Sequence, residues 1–149
     1  MTNLELTLQT DGFIARWQLE RSPVSDETLI GRVVIELAPE VGGAVFQSIE
    51  IGILPSDLNL LRDYLAKHIT ALESKTTIAD YPYFGYDLGF QLQALYGELE
   101  AGKGECGLRI LVNLGKSSTE SRVYGGAESV VDIATLRQFI SAISDLKLK

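Results

Sequence analysis

Twice along this chain a run of apolar residues spaced two apart gives way to a stripe spaced three and four apart. That double switch constrains the fold more than any single motif does. A period of two puts alternate side chains on opposite faces of a strand, and a period of 3.6 builds one face of a helix. The first run opens with Leu4, Leu6 and Leu8 alternating with Asn3, Glu5, Thr7 and Gln9. After the turn signal Thr10-Asp11-Gly12 it resumes with Phe13, Ala15, Trp17 and Leu19 opposed to Arg16, Gln18 and Glu20, which predicts an antiparallel hairpin. Loop-forming residues over 22–28 precede a β-branched strand from Leu29 to Leu37. A Pro-Glu-Val-Gly-Gly turn at 39–43 then leads to a strand from Val45 to Ile53 with Ile49, Ile51 and Ile53 on one face.

At Pro55-Ser56-Asp57 the period changes. Leu58, Leu61, Leu65, His68 and Leu72, widened by Tyr64 and Ile69, predict a helix over about 56–73. Ser56 suits its N-cap and Asp57 the positive end of its dipole. The second run then begins: Phe84, Tyr86, Leu88, Phe90, Leu92 and Ala94 alternate as one long strand. Ala101-Gly102-Lys103-Gly104 forms a turn, and Leu108, Ile110, Val112 and Leu114 alternate again. A polar loop over 116–120 precedes a strand from Arg122 to Val131, in which Gly125-Gly126 predicts a bulge or turn. Ile133, Leu136, Phe139, Ile140, Ile143 and Leu146 predict a closing helix over about 133–147, N-capped by Asp132 and complemented at its negative end by Lys147 and Lys149.

The pattern specifies an α+β fold, an antiparallel β-sheet meander with two amphipathic helices. Its strands-then-helix plan is met twice, in halves of about 1–74 and 75–149. Asp57-Leu58-Asn59-Leu60-Leu61-Arg62-Asp63-Tyr64-Leu65 overlays Asp132-Ile133-Ala134-Thr135-Leu136-Arg137-Gln138-Phe139-Ile140, and Arg32-Val33-Val34-Ile35-Glu36-Leu37 overlays Arg109-Ile110-Leu111-Val112-Asn113-Leu114. The alternative to a duplication is that any capped amphipathic helix and any buried strand look alike. A length of 149 residues with 46% hydrophobic residues suits one compact domain over the whole chain.

Net charge is −7. It opposes binding to a phosphate backbone, which draws its affinity from clustered Lys and Arg, so no nucleic-acid partner is expected. A basic protein would be attracted instead, although moderate negative charge also simply keeps a protein dispersed. Cys106 is the only cysteine, so no internal disulfide can form and a reducing, cytoplasmic setting is expected. The first residues lack a basic and apolar leader, and no apolar run approaches the ~20 residues that span a bilayer, so neither export nor a membrane is expected.

Chemical signatures fail on inspection. Gly102-Lys103-Gly104-Glu105-Cys106-Gly107 spells G-x-G-x-x-G, but a strand pattern follows where a dinucleotide site needs a helix N-terminus. Gly115-Lys116-Ser117 lacks the upstream glycine and following helix of a phosphate loop. His68 is the only histidine and lies on the apolar helix stripe, which excludes a multi-histidine metal site. Cys106 alternates with Leu108 and Ile110 as a small hydrophobe would. No catalytic, metal or cofactor residue is therefore assigned.

Two segments remain as candidates for binding a protein. Asp80, Tyr81, Tyr83, Tyr86 and Asp87 gather tyrosines beside acids, a combination of rigid area and polar tips that suits an interface; the plainer reading is rings covering the edge of the core. Glu98, Glu100 and Glu105 flank one turn as a solvated acidic tip. The order of elements, with a D-L-x-x-L-R-x-Y-L helix at 57–65 and a D-I-x-x-L-R-x-F-I helix at 132–140, resembles WapI-like small bacterial immunity proteins and neighbouring families of unknown function, from Trp17 to Ile143. That resemblance implies a protein that binds and blocks a cognate toxin, with an acidic surface suited to a basic nuclease. It carries over no catalytic residue, and no residue ties the chain to a particular toxin.

The expected function is thus a non-enzymatic protein-binding module. Two alternatives stand beside it: a small-ligand-binding or enzymatic domain with a pocket between sheet and helices, and a structural or oligomerisation protein acting through an open sheet edge. Nothing in the pattern specifies an oligomeric state.

Overall fold

A computed structural model describes residues 3–76, 83–84 and 89–146. The first half supplies β1 (Asn3–Gln9), β2 (Phe13–Arg21), β3 (Leu29–Leu37), a 3-10 turn (Pro39–Val41), β4 (Val45–Gln47), β5 (Ile51–Ile53) and helix α1 (Pro55–Ser74). The second supplies β6 (Tyr83–Phe84), β7 (Phe90–Glu100), β8 (Lys103–Lys116), β9 (Arg122–Asp132) and helix α2 (Ile133–Asp145). All ladders are antiparallel. One sheet runs β1-β2-β3-β4 with β5 also on β3, the other β6-β7-β8-β9. The protein is α+β, each half a meander closed by a helix. The overlaid strand segments occupy the third strand of each meander, β3 and β8, and the paired helix positions Leu58 with Ile133 and Leu61 with Leu136 are all buried.

The alternating residues form the interior. Phe13, Ala15, Trp17 and Leu19 of β2 and Phe90, Leu92 and Ala94 of β7 are buried in one cluster that also takes in Leu58, Leu61 and Leu65 of α1 and Leu136, Phe139 and Ile143 of α2. Trp17 packs edge-on against Phe90, with ring centroids 5.6 Å apart, and lies 5.2 Å from Phe139. A strand of the first half is thereby seated on a strand and the helix of the second. Helix α1 packs on β7 and on α2, while α2 also packs on β1, β8 and β9. No helix among the described residues is long and apolar enough to cross a membrane.

The strand expected from Val45 to Ile53 is two strands. Val34 pairs with Gln47 but Gly31 with Ile51, so the outer chain carries one extra residue between the two pairings. Ser48 fills that bulge: its Oγ accepts the Val33 N–H at 2.9 Å, and its N–H donates to the Val33 carbonyl. The Ile49 N–H is redirected to the Asn113 carbonyl of the other sheet. The slip reverses facing. Ile51 and Ile53 are buried while Ile49 is 40% exposed.

Other departures have equally local causes. Phe84 to Ala94 is not one strand, because Tyr83 and Phe84 pair antiparallel with Leu92 and Gln91. The turn after β7 is only Ala101-Gly102, with Lys103 and Gly104 already in β8. Gly125-Gly126 neither bulges nor turns but continues β9 opposite Val112 and Leu111. A Cβ on Gly126 would meet the Ile110 carbonyl oxygen at 2.0 Å, and one on Gly125 would meet the Phe46 ring at 2.8 Å, so these glycines admit close neighbours. The ladder irregularities fall elsewhere, at Ala94/Gly97 and Asn113/Gly115, and the second leaves Leu114 41% exposed rather than in the core.

At the helix starts, Leu54 and not Ser56 is the N-cap of α1. Pro55 opens the helix because its missing N–H costs nothing there, and the Asp57 carboxylate accepts the Leu54 N–H at 2.9 Å. In α2 the Asp132 carboxylate accepts the Ala134 N–H at 2.8 Å, as an N-cap should. This helix ends at Asp145, short of 147, and Lys147 and Lys149 lie outside the described residues.

Candidate functional site

The bulge between Ala94 and Gly97 sets the geometry of the second sheet's exposed end. Before it, Phe90, Leu92 and Ala94 point inward; after it the inward residue is Leu99, and Tyr96 stands out at 79% exposure with Glu98 and Glu100 beside it. The strand then turns through Ala101 and Gly102, whose φ values of 51° and 79° give the left-handed conformation of a tight two-residue hairpin.

Register aligns the acids. Glu98 lies opposite Glu105, and Glu105 opposite Asp132. Directly paired residues project from the same face of a sheet, so three exposed carboxylates form a row across β7, β8 and β9. Like charges set directly opposite repel. Further along the face, Arg109 neutralises Glu128 at 2.7 Å and donates to Gln93. None of the ion pairs among the described residues involves the row. Glu98 accepts the Tyr96 hydroxyl at 3.1 Å, and this bond, with the Glu98 charge, raises the Tyr96 pKa. Glu100 instead pairs with Lys75 at the end of α1; each holds the other charged, lowering the Glu100 pKa and raising that of Lys75.

Beside this hairpin runs a groove of about 770 Å³ between the C-terminal half of α1 and β7. Ala71, Leu72 and Leu99 give it an apolar floor, and Lys75, Glu98 and Glu100 a charged rim. At its inner end His68, 5% exposed, places Nε2 2.8 Å from the Leu95 carbonyl oxygen. A carbonyl only accepts, so Nε2 carries the proton and Nδ1 does not in the neutral ring. Burial lowers the His68 pKa and the carbonyl bond partly offsets it. The Tyr64 hydroxyl accepts the neighbouring Ala94 N–H at 3.0 Å. Cys106 is buried beneath, its thiol pushed up to about 11 by burial and then by the Glu105 charge. Among the described residues no three His, Cys, Asp or Glu side chains are grouped to hold a metal ion. The arrangement offers negative charge, acceptor oxygens, an exposed aromatic ring and an apolar trough.

Of the residues singled out by sequence, Glu98, Glu100 and Glu105 come together on the β7–β8 hairpin. Tyr83 sits opposite Leu92, its hydroxyl donating to the Asp57 carbonyl at 2.7 Å and its ring 6.1 Å from Tyr64 and 5.9 Å from Phe90. Burial, with the Asp57 charge second, raises its pKa. That ring is part of the packing between α1 and β7. Asp80, Tyr81, Tyr86 and Asp87 lie outside the described residues. Two members of the surface went unassigned by sequence: Asp132, read only as a helix cap, and Tyr96. Tyr96 had a signal, because apolar parity passes from even positions at 90, 92 and 94 to Leu99, which requires a bulge between them.

No family model matches this sequence, and no curated protein matches it either.

Proposed function

We propose that the chain is a single-domain, non-enzymatic protein-binding module, immunity-like in the sense of the bacterial resemblance, that docks a basic partner in the cytoplasm. The docking surface is the carboxylate row Glu98, Glu105 and Asp132 with Tyr96 and Glu100 at its side. The single observation that supports this reading is the register, which sets three acids directly beside one another while Arg109, on the same face, is spent on Glu128 and Gln93. A cation arriving from a partner relieves that repulsion, and complementary charge of this kind accelerates encounter and selects partners. Tyr96 adds an exposed aromatic surface of the type that anchors interfaces.

The test is capture from native lysate at low salt with the wild-type protein and with a Glu98→Lys/Glu105→Lys variant. A basic protein held by the wild type, released by salt and not held by the variant is the expected result. Identical captures by both proteins would remove the carboxylate row from the reading. Small-ligand binding is a second reading, favoured by the apolar-floored groove beside α1.

A further inference from the structure

Among the described residues, the outer edge of β7 is protected along part of its length only. Strand β6 pairs with Gln91 and Leu92. Helix α1 then takes over the ladder's work with side chains: Tyr64 accepts the Ala94 N–H and His68 donates to the Leu95 carbonyl. The bulge follows, and past it, among the described residues, no strand pairs with the outer side of Gly97–Glu100. The groove lies there, lined by every residue from Ala94 to Glu100. Side chains of alternate parity face opposite ways, so a groove lined by consecutive residues runs along a strand's edge.

The register identifies which backbone groups face that groove. A two-residue turn makes Glu100 and Lys103 the hydrogen-bonded closing pair, and Glu98 with Glu105 is the next such pair. The close approaches agree, since a Cβ on Gly104 would meet the Glu98 carbonyl oxygen and one on Gly97 the Glu105 carbonyl oxygen. Gly97 and Leu99, alternating with them, therefore turn N–H and C=O outward.

Resting on the protein-binding reading above, we propose that a basic, extended segment of the partner adds as a strand to the Gly97–Glu100 edge of β7. The backbone groups of Gly97 and Leu99 supply a hydrogen-bonding template, a recurrent mode of peptide recognition. Alternate side chains of the incoming strand meet the apolar floor at Ala71, Leu72 and Leu99, and the intervening ones meet Glu98 and Glu100. Charge selects the occupant. Two copies of this edge laid antiparallel would bring Glu98 and Glu100 of each against the other, which is the device that keeps exposed edges from self-pairing. A lysine-bearing strand meets Glu98 favourably and exchanges with Lys75 for Glu100.

The experiment uses the full chain and an eight-residue peptide of alternating lysine and valine, with an analogue of equal charge N-methylated on every residue so that neither edge keeps a donor. Affinity is measured by calorimetry, and amide exchange is followed by NMR. The unmodified peptide is expected to bind roughly tenfold or more tighter than the analogue, as loss of about two hydrogen bonds of ~1 kcal/mol implies, and to slow exchange at Gly97 and Leu99. Equal binding of the two peptides overturns strand addition while leaving acidic docking intact. Absence of binding by both overturns both readings. A dimer of the free protein in sedimentation, broken by either peptide, shows that a second copy holds the edge and also overturns the proposal.

Discussion

Leu61 of α1 and Leu136 of α2 occupy equivalent places in the two halves, and each is 0% exposed. Replacing either with alanine removes about three buried carbons, worth roughly 2.4 kcal/mol of transfer free energy at ~0.8 per methylene. The cavity left behind raises the cost, so each variant should lose ~2–5 kcal/mol. Trp17 makes the assay discriminating. It is the only tryptophan, it belongs to the first half, and its ring contacts among the described residues are Phe90 and Phe139 of the second. Urea unfolding followed by Trp17 fluorescence and by far-ultraviolet circular dichroism should give coincident transitions in the wild type and in both variants, with unchanged slope and lowered midpoint. A Leu136→Ala variant whose fluorescence transition stays put while its dichroism shifts would show that the halves unfold separately. A loss below ~1 kcal/mol at either site would refute the burial of that helix's stripe.

Two further outcomes follow from buried titratable groups. The folded His68 binds a proton less readily than the unfolded chain, whose value is the ordinary 6.5. Its contribution to stability is complete above that value and is lost as pH falls through the window below it. A His68→Gln variant, which keeps a donor for the Leu95 carbonyl, should flatten that part of the stability profile, and an unchanged slope would assign it to other groups. Cys106, with its thiol at about 11 and 1% exposure, should resist a disulfide reagent at pH 8 in the native protein and react at once in denaturant; rapid native labelling would contradict its burial.

The inward faces were legible because period two and period 3.6 report burial directly, as at Phe13, Ala15, Trp17 and Leu19 or Leu58, Leu61 and Leu65. Bulges were harder to read, since one inserted residue reverses every facing beyond it. That is why Ile49 and Leu114, apolar and in phase, lie 40% and 41% exposed. Gly125-Gly126 read as an interruption because glycine in a strand signals either a break or a close approach, and only the Phe46 ring and the Ile110 carbonyl decide between them. Ser56 has the side chain a cap prefers, but Pro55 belongs in the first turn, which moves the cap back to Leu54. The acidic tip was legible from Glu98, Glu100 and Glu105 flanking one turn. Its extension to Asp132 was not, because that neighbour is set by the β8–β9 register and stands 27 positions beyond Glu105 in the chain.

The carboxylate row is most directly tested by amide hydrogen exchange on the protein alone and in complex with the basic partner recovered at low salt. Slowed exchange confined to 94–106 and to the residues around Asp132, lost again at high salt, is the result expected of docking on that row. Unchanged exchange there, or protection gathered instead on the exposed apolar residues Ile49, Leu114 and Val123, would contradict it.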